Sequence, residues 1–166
     1  GYALIAVVGK REVMTYAEET FASSTFWTER IGPSAALKTL EVMEKIQSWD
    51  QITNIGLKVR KLWETLSQEY NLEIIINGIP ALSSYQFNNE NNSLIHTLIT
   101  QRMLEKGFLV SDRFYSCIAH SDSIIDSYAN ALDETFKWIS KNTDDISNLN
   151  ALLKGPVKHS GFKRLN

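Results

Sequence analysis

Apolar positions change their spacing several times along the 166 residues, and each change marks an element. Tyr2 to Val8 is a nearly continuous apolar run with β-branched members, set between Gly1 and Gly9. A run this short predicts a strand covered on both faces. Such a strand needs ladder partners on both edges, and few later segments are suited to supply them, so it reads as part of a sheet whose remainder lies outside this sequence. Arg11 to Thr20 predicts a short helix. Pro33 suits the first turn of a longer one, where its fixed φ and missing N–H cost nothing. Ala36, Leu37, Leu40, Met43 and Ile46 follow at helical spacing, and Ile52, Ile55, Val59, Leu62, Leu66 and Tyr70 form the stripe of a second amphipathic helix.

Beyond it, Leu72 to Ile76 is strand-like, Asn77-Gly78 is a hairpin-turn signal, and Ile79 to Phe87 is the returning partner. After a polar loop from Asn88 to Asn92, helical spacing resumes at Leu94, Ile95, Leu98, Ile99 and Met103, with Gly107 placed to close the helix in a left-handed cap. Phe108 to Val110 and Phe114 to Ala119 predict two further strands. Ser121 or Asp122 caps a helix whose stripe is Ile125, Tyr128, Leu132, Phe136 and Ile139. A short helix is expected around Leu149 to Lys154. From about residue 51 this order makes a small α+β unit, with helices on one face of a largely antiparallel sheet. Residues 1–33 belong to something else.

Composition narrows the possibilities. Hydrophobic residues at 43% and charged residues at 22% fit a soluble globular core. A net charge of -2 gives no global field toward nucleic acid or an anionic membrane, and no apolar run reaches the roughly 20 residues a bilayer span needs. The single cysteine excludes an internal disulfide framework and fits a reducing compartment. His96, His120 and His159 stand far apart with no His or Cys at ligand spacing, so no metal is expected. Cys117, in a predicted strand between Ser116 and Ile118, reads as a buried structural thiol. The tail from Ala151 carries Lys154, Lys158, Lys163 and Arg164 and no acidic residue; it is either a solvated chain end or an anion or subunit contact.

The chemistry concentrates in SSTFWTERIGP, Ser23 to Pro33. Hydroxyls and free backbone N–H groups gather there just before a helix N-terminus, the arrangement a phosphate ester needs. The competing reading is that these Ser and Thr residues only form a loop and a cap. Glu29 and Arg30 either pair with each other or a partner subunit, or Arg30 meets a substrate carboxylate.

Four segments, GYALIAVVGKREVM, SSTFWTERIGPSAAL, GFLVSDRFYSCIAHSD and LLKGPVKHSGFKRLN, together resemble the C-terminal part of class III aminotransferases, in the branch similar to glutamate-1-semialdehyde 2,1-aminomutase. The resemblance implies fold type I, α/β and α+β: residues 1–46 as the C-terminal edge of the large cofactor-binding domain with its connecting helix, and residues 47–166 as the small C-terminal α+β domain. It implies pyridoxal 5'-phosphate as cofactor, a small-molecule amino donor and carbonyl acceptor, and a homodimer with shared active sites; with the cysteine usage, charge and hydropathy above, a cytoplasmic protein with no nucleic-acid or membrane partner is expected. The Schiff-base lysine would precede Gly1, so no lysine of this chain is nominated and the isolated chain is expected to be inactive. Thr25, with Ser24 beside it, matches the residue that holds the cofactor phosphate of the neighbouring subunit. Arg30 and Arg113 are the candidates for a substrate carboxylate. Between Gly107 and Ala119-His120 the acidic residue of the aminomutase is missing, which leaves an intermolecular transaminase as open as the mutase. The alternative is a non-catalytic dimerisation or partner-binding module.

Overall fold

The computed structural model describes residues 2, 4–21, 25–26, 28–142 and 146–159, and the chain divides into two units, residues 1–48 and 49–166.

In the first unit, helix α1 (Arg11–Met14) runs into a 3-10 turn (Thr15–Glu19), as the short helical pattern requires. Helix α2 (Ile31–Ile46) places Pro33 in its first turn and ends at Gln47 in a left-handed conformation, φ 50°, whose N–H bonds back to Met43 and Glu44. The strand expected over Tyr2 to Val8 is not formed in the described residues, and Ile5 is 90% exposed. A strand is held by its ladder, and no described segment pairs with this one.

The second unit is built around helix α3 (Ser48–Glu69), the hairpin β1 (Ile74–Ile79) and β2 (Leu82–Phe87), helix α4 (Asn92–Glu105), strand β3 (Arg113–Tyr115), helix α5 (Asp122–Ser140) and helix α6 (Ile146–Ala151). The sheet order is β1-β2-β3, antiparallel throughout. One sheet face carries Tyr85 and Phe87 into a core with Val59, Trp63, Leu66, Leu98, Ile99, Leu132 and Phe136 of the helices. All five expected stripe residues of α5 are buried, and the side chain of Ser121 accepts the N–H of Ile124 at its N-terminus. At the end of α4, Gly107 takes φ +85°; its N–H bonds to Leu104 and that of Phe108 to Met103, the two bonds of a Schellman cap.

Several expectations for this unit are corrected. Asn77-Gly78 is not the turn. Both residues lie inside β1, and the chain reverses at Pro80-Ala81, between the paired residues Ile79 and Leu82. Gly78 is still needed, at φ +82° and with the Leu82 carbonyl 2.3 Å from where a Cβ would sit. Phe108 to Val110 is not a strand, and β3 stops at Tyr115, because only Arg113 to Tyr115 lie opposite β2 residues 82–84. Cys117 is therefore in the turn after β3 and exposed, not buried.

The basic tail is also placed. Leu152 and Lys154 bond through their backbones to the side chain of Gln101, and the Lys158 N–H to Thr97 Oγ1. Lys154 pairs with Glu105 at 2.6 Å and Lys158 with Asp112 at 3.3 Å. Residues 152–158 thus run along α4 as a docked strap and not as a free end. Lys163 and Arg164 lie outside the described residues.

Candidate cofactor and substrate site

Thr25 is exposed in the irregular stretch before α2; Ser24, Ser23 and Trp27 lie outside the described residues. Arg30 is the N-cap of α2 and its side chain makes no capping bond. Pro33 has no N–H to offer, and the first helical bond in this turn joins the Ser34 N–H to the Arg30 carbonyl at 3.0 Å. The N–H groups of Ile31 and Gly32 precede any acceptor within the helix. An uncapped helix N-terminus, with its partial positive charge, is the kind of group that suits a phosphate, and the exposed Thr25 precedes it in the chain. Among the described residues no ion pair joins Glu29 to Arg30, which leaves the partner-subunit and carboxylate readings of the two side chains.

Arg113, the second carboxylate candidate, belongs to the other unit. It opens β3 on the sheet face away from the core, where the register aligns Asn77, Ser84 and Arg113 across the three strands. The neighbouring row is Ile79, Leu82 and Tyr115, all exposed. Among the described residues no carboxylate pairs with the Arg113 guanidinium. Asp112 beside it turns to the opposite side, where Lys158 holds its carboxylate and its carbonyl accepts the Tyr85 N–H. Burial alone would raise the Asp112 carboxyl, but the Lys158 ammonium and the neighbouring His96 carry it below the usual carboxylate range. The strand start that carries Arg113 is thus pinned from the core side.

Arg113 also borders a cleft of about 480 Å³ formed within residues 108–128. His120 lies against Phe114 with ring centroids 5.0 Å apart, and Phe114 against Tyr128 at 6.4 Å. Sequence spacing gave no sign of His120 here, because the turn over residues 116–120 folds it back onto β3. Among the described residues no group of His, Cys, Asp and Glu has metal-binding geometry, and no helix is long and apolar enough to cross a membrane.

No protein-family model matches the chain. Two curated relatives do. Over 147 residues it is 29% identical to a 3-aminobutyryl-CoA aminotransferase of Cloacimonas acidaminovorans (strain Evry). Over 149 residues it is 31% identical to an acetylornithine aminotransferase of Methanocaldococcus jannaschii. This chain is similar to aminotransferases. Each alignment covers 85% of the chain and 36% of the relative, so the chain spans about a third of the length of the aminotransferases it matches. Among solved structures, the FumI protein of Sphingopyxis sp. MTA144, in its PLP internal aldimine form, shares the fold with a TM-score of 0.71 at 19% identity, over 88% of this chain and 36% of that one.

Proposed function

We propose that the chain is the C-terminal part of a pyridoxal 5'-phosphate-dependent aminotransferase of fold type I. The supporting observation is the similarity to two aminotransferases along 85% of the chain. In this reading residues 1–46 are the edge of the large domain and residues 47–166 the small domain of a cytoplasmic homodimer. Amino transfer between separate molecules is favoured over the mutase reaction, because both relatives are aminotransferases and the acidic residue of the aminomutase has no counterpart here.

When bound, the cofactor supplies an electron sink for bond cleavage at the carbon bearing the amino group. The residues of this chain bind and orient. Thr25, with Ser24 beside it, donates to the cofactor phosphate of the neighbouring subunit, assisted by the positive end of α2. Arg113 presents its guanidinium, bidentate in geometry, to the carboxylate of the amino donor or carbonyl acceptor. Arg30 is the alternative for that carboxylate. None of the lysines in this chain is assigned to cofactor attachment.

The test is cofactor retention. Full-length protein is dialysed exhaustively, and pyridoxal phosphate is assayed after release by base. About one cofactor per chain is expected; a protein that retains none, after reconstitution with excess cofactor, refutes the reading and favours a non-catalytic module.

A further inference from the structure

The cleft beside Arg113 is formed wholly by the second unit, and amino transfer alone does not call for it. Its volume of about 480 Å³ falls within the ~300–1,000 Å³ of small-molecule sites. The stack His120–Phe114–Tyr128 makes one wall, and Phe108 and Ile124 also line the space. The Tyr128 hydroxyl accepts the indole N–H of the buried Trp63, which anchors that end of the side chain in the core. Of the other polar residues on the lining, Ser111 bonds back to the Arg113 backbone and Tyr115 is largely exposed, so Arg113 and His120 are the groups taken to select what enters. His120 Nδ1 accepts the backbone N–H of Cys117 at 3.1 Å. A neutral imidazole that accepts at Nδ1 carries its proton on Nε2, so the free nitrogen of His120 is a donor. A guanidinium without a described partner and an imidazole N–H, both at an aromatic cavity, match a ligand that is anionic at one end and apolar at the other.

We infer that the cleft receives the apolar body of a carboxylate-bearing substrate, with Arg113 on the carboxylate and the ring stack against an aromatic or branched side chain. The inference rests on the amino-transfer reading of Arg113 and adds a substrate class to it. Acids with a large apolar group are preferred over short ones.

The experiment measures binding of 3-phenylpropionate and propionate to the full-length protein by calorimetry. Wild type is expected to prefer 3-phenylpropionate by about tenfold or more, or ~1.4 kcal/mol. Ile124→Trp fills the cleft from a partly exposed position. It removes the preference while propionate still binds. Ile124→Ala, which adds no bulk and serves should the tryptophan variant not fold, lowers the preference severalfold by removing a wall contact. Arg113→Gln weakens both ligands. Equal affinities in wild type, or a preference unchanged in a folded Ile124 variant, overturn the cleft assignment; if Arg113→Gln still weakens both acids, the role of Arg113 in amino transfer stands. If Arg113→Gln changes neither affinity, the carboxylate role of Arg113 is refuted and the cleft assignment falls with it.

Discussion

The indole Nε1–H of Trp63 donates to the hydroxyl of Tyr128 across 2.9 Å, inside the core of the second unit. The bond joins α3 to α5 and gives the buried indole N–H of Trp63 its acceptor. Tyr128→Phe keeps the ring stack and deletes the acceptor, leaving a buried N–H unpaired. The expected loss is about 1–3 kcal/mol, read as a lower urea midpoint at unchanged slope. Trp63→Ala removes the whole anchor and should cost about 3–5 kcal/mol. A Tyr128→Phe protein as stable as wild type would show that the bond is not formed.

His96 carries a pH dependence. It is 1% exposed, packed against Tyr85 and Phe87, and its Nε2 has no partner among the described residues. Burial, reinforced by the Lys158 charge and partly offset by Asp112 and the Tyr85 backbone, lowers its pKa from 6.5 to about 4. Between those values the unfolded chain binds a proton that the folded protein excludes, so stability rises with pH. The contribution, on the order of 3 kcal/mol, is complete above the unfolded value and disappears as pH falls to the folded one. Urea midpoints at pH 7 and pH 5 should therefore differ, and His96→Leu should reduce the difference. A midpoint that is flat over this range in wild type contradicts the assignment.

Gly56 tests the seat of the hairpin. A Cβ built there would lie 1.8 Å from the Pro80 carbonyl oxygen, a backbone atom that cannot step aside alone. Gly56→Ala should drive the Pro80-Ala81 turn away from α3 and cost about 1–3 kcal/mol by overpacking, despite the better helix propensity of alanine. A melting temperature equal to or above that of wild type would count against the close approach.

Helices were legible in the sequence because their signals are local and periodic. The stripe Ile125 to Ile139, the Ser121 cap and the Gly107 cap each depend on residues a few positions apart, and all three stand in the structure. Trp63 fits the same periodicity, four residues after Val59 on the buried side of α3. The sheet was harder to read. Asn77-Gly78 has the composition of a turn, yet the glycine serves a close backbone approach within β1. The extents of β1 and β3 are set by which residues find a partner across the ladder, which spacing along the chain does not encode. The same holds for the strap, whose lysines meet Glu105 and Asp112, each 46 or more positions away, and for His120. Of the site, SSTFWTERIGP was visible as a motif; the cleft beside Arg113 was not, because it is assembled by tertiary folding of residues 108–128.

Thr25 is the most specific point in the proposed cofactor site. Removing one charge-assisted hydrogen bond to a phosphate costs about 1.5–3 kcal/mol. Thr25→Ala in the full-length protein should therefore weaken pyridoxal phosphate binding roughly 10-fold to 150-fold, with Thr25→Ser recovering most of the loss. Equal affinities for wild type and Thr25→Ala in a fluorescence titration would remove Thr25 from the site.

Amino transfer itself is tested most directly by the half-reaction. Full-length protein reconstituted with pyridoxal phosphate is mixed with a panel of amino donors, without acceptor, and the cofactor absorption is followed. The account predicts that at least one donor changes the spectrum in stoichiometric amount and that adding a carbonyl acceptor reverses the change. A protein that holds the cofactor but whose spectrum no amino donor alters would contradict it.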